Sequence, residues 1–114
     1  MRNLNLLILR CDDLERCRVF YEVFGLRFSA ERHGDGPGHY AHADEGGVFE
    51  LYPRSGETPA DATGLGFAVP HLEVCREAIS KLGSAPGAIK ENPWGRTFVV
   101  RDPDNRRVEV SESK

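Results

Sequence analysis

The chain has no apolar run longer than Leu6-Leu7-Ile8-Leu9, far short of the roughly 20 residues that cross a bilayer as a helix. Met1-Arg2-Asn3 lacks the apolar stretch and small-residue cleavage site that open a secretory leader. Neither sign of charge dominates: 15 Lys and Arg stand against 18 Asp and Glu, a net of -3. No basic cluster is interleaved with aromatics. Nucleic acid and membrane are therefore excluded as expected partners. Cysteine is scarce and odd in number. Cys11, Cys17 and Cys75 have no C-x-x-C spacing, so they form neither a zinc cluster nor a disulfide framework and read as reduced core residues of a cytoplasmic protein. With 114 residues there is room for one compact domain, or two small modules sharing a core, and not more.

Within these bounds the chain alternates clearly. Leu4 to Leu9 reads as a strand covered on both sides. In "DDLERCRVFYEVFG", Leu14, Cys17, Phe20, Tyr21 and Phe24 recur at helical spacing; Asp12 with Glu15 resembles a capping box, and Gly25 is a fitting stop. "LRFSAE", "HYAHAD" and "VFELYP" read as short strands between glycine-rich turns. The turn-rich segment "RSGETPADATG" reads as a linker. Beyond it, "LGFAV" is a strand, and "HLEVCREAISKLG" is a helix with Leu72, Cys75, Ala78, Ile79 and Leu82 on one stripe. Three further short strands follow in "GAIKE", "TFVVRD" and "RRVEVSE".

The order β-α-β-β-β thus occurs twice. Leu14/Leu72, Glu15/Glu73, Cys17/Cys75, Arg18/Arg76 and Gly25/Gly83 match at an offset of 58, and "VFELYP" lies over "RVEVSE" at 59, which pairs Glu50 with Glu109. Both acids sit between apolar neighbours. Alternation on a half-buried strand accounts for this pattern; so does a carboxylate aimed into a cavity. Halves related by a local two-fold would place the two acids on opposite walls of one concavity.

These motifs, "DLERCRVFYEVFGLRF", "FELYP" and "PWGRTFVVRDPDNRRVEV" in this order, resemble the vicinal oxygen chelate superfamily, which includes glyoxalase I, extradiol dioxygenases, fosfomycin-resistance enzymes and bleomycin-resistance binding proteins. The resemblance implies an α+β domain spanning 1–114: module one at about 1–54, a linker at about 55–63 and module two at about 64–114. Two βαβββ modules would form an open, cup-shaped mixed sheet with helices outside. It also implies that Glu109 points into the cup. The positions that carry histidine in metal-binding relatives fall here on Leu6 and Gly64, neither of which can ligate. Asn105 replaces the glycine of the usual D-P-D-G-N turn and tolerates the positive φ required there.

His39 and His42, three apart on one strand, point to opposite faces, while His33 and His71 suit surface roles. No cofactor is expected. Two carboxylates and water could hold a hard ion such as Mg²⁺, but nothing in the sequence requires it. Alternation sends Leu6 and Ile8, Glu50 and Tyr52, and Gly64 toward the cup. Trp94 reads either as a lid on the core or as a surface for a ligand to stack on, and Arg96 either as an anion contact or as solvated. No catalytic residue is assigned. Acids with aromatics and no metal suit a small, cationic or amine-bearing organic ligand. The expected function is a metal-free sequestering protein of the bleomycin-resistance type, and the alternative is a lyase, isomerase or dioxygenase of the same superfamily, metal-dependent or using a carboxylate base. A homodimer is expected.

Overall fold

Both βαβββ units are present. The structure, a computed structural model, describes residues 3–56 and 61–113, so the middle of the linker, 57–60, lies outside the described residues. The first unit runs β1 (Leu6–Cys11), α1 (Leu14–Glu22), β2 (Ser29–Glu31), β3 (His39–Asp44) and β4 (Gly47–Pro53). The second runs β5 (Gly64–Val69), α2 (Leu72–Lys81), β6 (Lys90–Asn92), β7 (Gly95–Arg101) and β8 (Arg107–Glu112). Each makes a four-stranded sheet, ordered β1-β4-β3-β2 and β5-β8-β7-β6. In each sheet the first and last strands are parallel and the remaining pairs antiparallel. A parallel pair needs a crossover connection, and the helix that begins it covers one face of the sheet.

Strand alternation decides what that face buries. Leu9 and Cys11 of β1, Leu51 of β4, Phe98 and Val100 of β7, and Val108 and Val110 of β8 are all buried. Helix α1 adds Cys17, Phe20 and Tyr21, and α2 adds Leu72, Cys75 and Ile79. Phe24 stacks on Phe67 at 4.6 Å, and the Tyr21 ring lies 5.3 Å from Phe49 and 5.8 Å from Phe67. The modules therefore share one core.

Some local details depart from the sequence reading. The N-cap of α1 is Asp13, whose Oδ1 accepts from the Arg16 amide at 3.1 Å. Asp12 is occupied elsewhere: its amide donates to Asp104 and its carboxylate meets Arg54. Strand β2 is shorter than "LRFSAE" because the Arg27 and Phe28 amides donate to the His42 ring and the Glu22 carboxylate, not to a ladder. Leu82 lies past the end of α2 and is exposed. Asn105 takes φ 69° as expected.

A buried polar cluster joins the modules. Asp102 is fully enclosed and accepts from the Tyr21 hydroxyl at 2.5 Å, the Asp104 amide at 2.9 Å, the Arg106 amide at 2.8 Å and Arg106 Nη1 at 2.9 Å. Arg106, also buried, continues to Asp61 at 3.1 Å and to the carbonyl of Arg10. The β7–β8 turn of module two is thereby bound to α1 and the end of β1.

Removing the Tyr21 hydroxyl leaves a buried acceptor short of a donor, so Tyr21→Phe should cost about 1–3 kcal/mol in urea unfolding. Asp102→Ala leaves Arg106 paired with Asp61 and near Asp104 but removes the shared acceptor of four donors, and should cost about 1–3 kcal/mol or more. Burial, and then the Asp102 carboxylate, push the Tyr21 phenol above its ordinary value, and burial pushes the Cys75 thiol up to about 11. A hydrogen bond with Cys11, then burial and the nearby Asp104, push the Cys17 thiol up as well. All three groups hold their protons more tightly when folded. Stability should therefore be complete below the unfolded values and fall as pH rises, first through Cys75 and Cys17 from about pH 8.5 and then through Tyr21 as well from about pH 10. In melts taken between those limits and above, Tyr21→Phe should retain the first decline and show a shallower one above about pH 10.

Candidate functional site

The sheet faces turned away from the helices are open. On the first, register aligns three rows: Leu6, Val48 and Ala43; Ile8, Glu50, Ala41 and Ser29; Arg10, Tyr52, His39 and Glu31. An open cavity of about 520 Å³ lies over them, lined by Leu6, Arg27, Ser29, Glu31, Ala41, Ala43, Val48 and Glu50. The size suits a small organic molecule. Alanine and serine along its floor leave space a larger side chain would fill, and Glu50 is mostly enclosed within it, with 14% of its side chain exposed.

The third row is a stack. Arg10 lies over Tyr52 at 4.9 Å, and Tyr52 stacks on His39 at 4.1 Å. His39 is only 3% exposed although it belongs to the open face. Its Nδ1 lies 3.2 Å from the Pro37 carbonyl, and its Nε2 lies 3.3 Å from Glu50 and 3.4 Å from Glu31. His42 lies on the opposite face, as strand alternation predicts, beside Phe28. The association of His39 with Glu31 and Glu50 follows from β2–β3–β4 register, for which the sequence carries no direct signal.

The second open face is built differently. Gly64, Gly66 and Ala68 of β5 align with Arg107, Glu109 and Ser111 of β8. Val108 and Val110 are buried, so Glu109 stands on the open side by alternation, 3.7 Å from Arg107. A methyl group at Gly64 would meet nothing within 4 Å, and one at Gly66 would come no closer than 3.8 Å to the Glu109 carbonyl. Packing within the chain therefore does not demand glycine at either position. What glycine supplies is an unfilled face.

Among the sequence-predicted residues, Leu6, Ile8, Glu50 and Tyr52 thus share the first open face, and Gly64 and Glu109 the second. Trp94 is 71% exposed in the β6–β7 turn and covers no core. Arg96 turns toward the helix side, paired with Glu73 of α2, with Glu112 at 3.1 Å and with Glu91 at 3.6 Å. Among the described residues, two groups of His, Cys, Asp or Glu bring ligand atoms together: Cys11, Cys17 and Asp104 in the core, and Glu31, His33 and His39 beside the cavity.

A model of the Glyoxalase/Bleomycin resistance protein/Dioxygenase superfamily matches residues 3–110. No curated protein sequence matches. Solved structures share the fold. TnmS3, an antibiotic binding protein from Streptomyces sp. CB03234, superposes with a TM-score of 0.76 at 21% identity, covering 100% of this chain and 98% of that one. A glyoxylase/bleomycin resistance protein/dioxygenase domain from Frankia sp. EAN1pec gives 0.69 at 25% identity, covering 98% and 96%. The fosfomycin resistance protein FosX from Listeria monocytogenes gives 0.71 at 17%, covering 100% and 95%.

Because the glycine face is sterically free, Gly66→Ala should be neutral or stabilising by up to about 1 kcal/mol in chemical denaturation, the gain coming from the unfolded chain. A clear loss of stability would mean that another surface already packs closely on that strand.

Proposed function

Since the chain belongs to the Glyoxalase/Bleomycin resistance protein/Dioxygenase superfamily, we propose that it binds and sequesters a small organic molecule, one that carries a cationic or amine group. The observation that carries this reading is the repeated placement of one carboxylate on each open face, Glu50 across from Ile8 and Glu109 across from Gly66, with His39 and Arg107 as their nearest charged or titratable neighbours. Tyr52 and Arg10 add a flat, polarisable edge to the first face. Leu6 and Gly64 offer no ligand atom at the family's histidine positions, so the ligand is held there by side chains without a bridging metal. TnmS3, described as antibiotic binding, supports the sequestering role. Three free, buried cysteines suit a reducing, cytoplasmic setting.

The site of one chain is half of a cup. The cavity over the first sheet is lined by module-one residues, and Leu4, Leu6 and Ile8 remain exposed along that face. Burying them favours a homodimer in which a second chain closes the concavity. A second reading, a lyase or isomerase of the same superfamily, draws on Glu50, because a carboxylate mostly enclosed in a cavity can take a proton from a bound molecule.

A thermal-shift panel of amine-bearing and neutral antibiotics tests the proposal. Cationic members should raise the melting temperature, and Glu50→Gln and Glu109→Gln should each weaken binding by roughly tenfold to a hundredfold, the value of one charged hydrogen bond. Recovery of the bound molecule unchanged supports sequestration, whereas its conversion supports the enzyme. Sedimentation should give a dimer at about tens of micromolar and a monomer for Ile8→Asp, because a charge on that face opposes burial.

A further inference from the structure

We propose that Glu31, His33 and His39 form a binding site for a divalent ion of the Zn²⁺ type at the edge of the first cavity, away from the Leu6 and Gly64 positions. The ligand atoms of these three residues all lie within 4.8 Å of one another. The Glu31 carboxylate is 3.4 Å from His33 Nε2 and 3.4 Å from His39 Nε2. Ligands at two corners of a tetrahedron with bonds of about 2.0–2.1 Å stand roughly 3.3–3.4 Å apart. Both contacts have the length of a coordination edge.

His39 is buried with one ring nitrogen unpartnered among the described residues: its side chain is 1% exposed, and Nε2 makes no hydrogen bond. The Pro37 carbonyl can only accept, so its 3.2 Å contact suits the tautomer with the proton on Nδ1, which leaves Nε2 able to bind an ion. Nε2 lies 3.4 and 3.3 Å from the oxygens of Glu31 and Glu50, and in that tautomer its lone pair is turned toward them with no proton between, an arrangement that an ion would complete. Neither oxygen is aligned to accept a proton from Nε2. Ligands that share an ion show this same offset, because each stands about 35° off its neighbour's bond axis in a tetrahedral set. A metal-bound imidazole also characteristically donates its other N–H to a carbonyl or carboxylate, as Nδ1 does here to Pro37.

The donor set decides the ion. Two imidazoles and one carboxylate suit Zn²⁺ and its first-row neighbours and do not suit Mg²⁺ or Ca²⁺. Three protein ligands leave one position open. Because Glu31 and Glu50 both line the cavity, that ion would border the space proposed for the organic molecule. Module two has no counterpart: Thr97 and Lys90 occupy the places of His39 and Glu31. The site does not depend on which molecule the cavity holds.

The test is Zn²⁺ titration by calorimetry on the full, tag-free chain, with Co²⁺ absorption as a second readout. We expect one equivalent per chain and the visible bands of tetrahedral Co²⁺. His33→Ala, at an exposed loop position, and Glu31→Gln should each fold normally and weaken binding by about tenfold or more, since each removes one of three ligands. His71→Ala, a histidine at the start of α2 and outside the cluster, should leave binding unchanged. Absence of Zn²⁺ binding at about 0.1 mM, or binding that survives either His33→Ala or Glu31→Gln, would overturn the proposal and leave His39 as an imidazole held between carboxylates.

Discussion

The enclosed carboxylate of Asp102 governs how the two halves of this protein sit together. A charge without solvent is tolerated only when paired and fully hydrogen-bonded, and Asp102 meets that condition with donors from both modules. Arg106 supplies two of them, and Tyr21 of α1 supplies a third. Satisfying the acid therefore requires the turn after β7 to be seated against α1 and the end of β1. The same turn carries Asp104, which accepts from the Asp12 amide at 3.0 Å and from Cys17 Sγ at 3.2 Å. Once this turn is in place, Phe24 and Phe67 are stacked and the helix-facing sides of both sheets close on one core. The faces left over are the open ones.

Duplication treated the two sides of each sheet differently. At positions related by the repeat, the core keeps its character: Leu9 and Phe67, Cys11 and Val69, Cys17 and Cys75, Leu51 and Val110. Close packing tolerates only changes that conserve apolar volume. The open faces carry no such constraint and have diverged. Leu6 and Ile8 stand opposite glycines in the repeat, and Arg10, Tyr52 and His39 correspond to Ala68, Ser111 and Thr97. One module presents apolar bulk, a stack of rings and titratable groups. The other presents space. The acids Glu50 and Glu109 are the feature that both retain.

Such asymmetry fits a site assembled from unlike walls. On the first face Glu31 and Glu50 bring charge beside the stack of Arg10, Tyr52 and His39, while the glycines of the second face leave volume. An arrangement of this kind can hold different molecules on one scaffold through changes on the open faces alone, without disturbing the core that sets the fold.

Much of this was legible in the sequence, and the physical reason is local. Helical and strand periodicity settle which way each side chain points, so the two βαβββ units, their offsets of 58 and 59, the buried Val108 and Val110 and the outward Glu109 can all be read from residue order. The positive φ at Asn105 can be read in the same way. Periodicity does not say what stands across from a side chain. Asp13 rather than Asp12 caps α1 because Asp12 is bonded to a turn some ninety residues away. Arg96 is neutralised by acids on α2 and two neighbouring strands, and Trp94 projects into solvent. Glu31, His33, His39 and Glu50 come together only through the register of three strands and the loop that precedes β3. Residue order determined the faces; pairing register and the seating of one module on the other decided which residues meet on them.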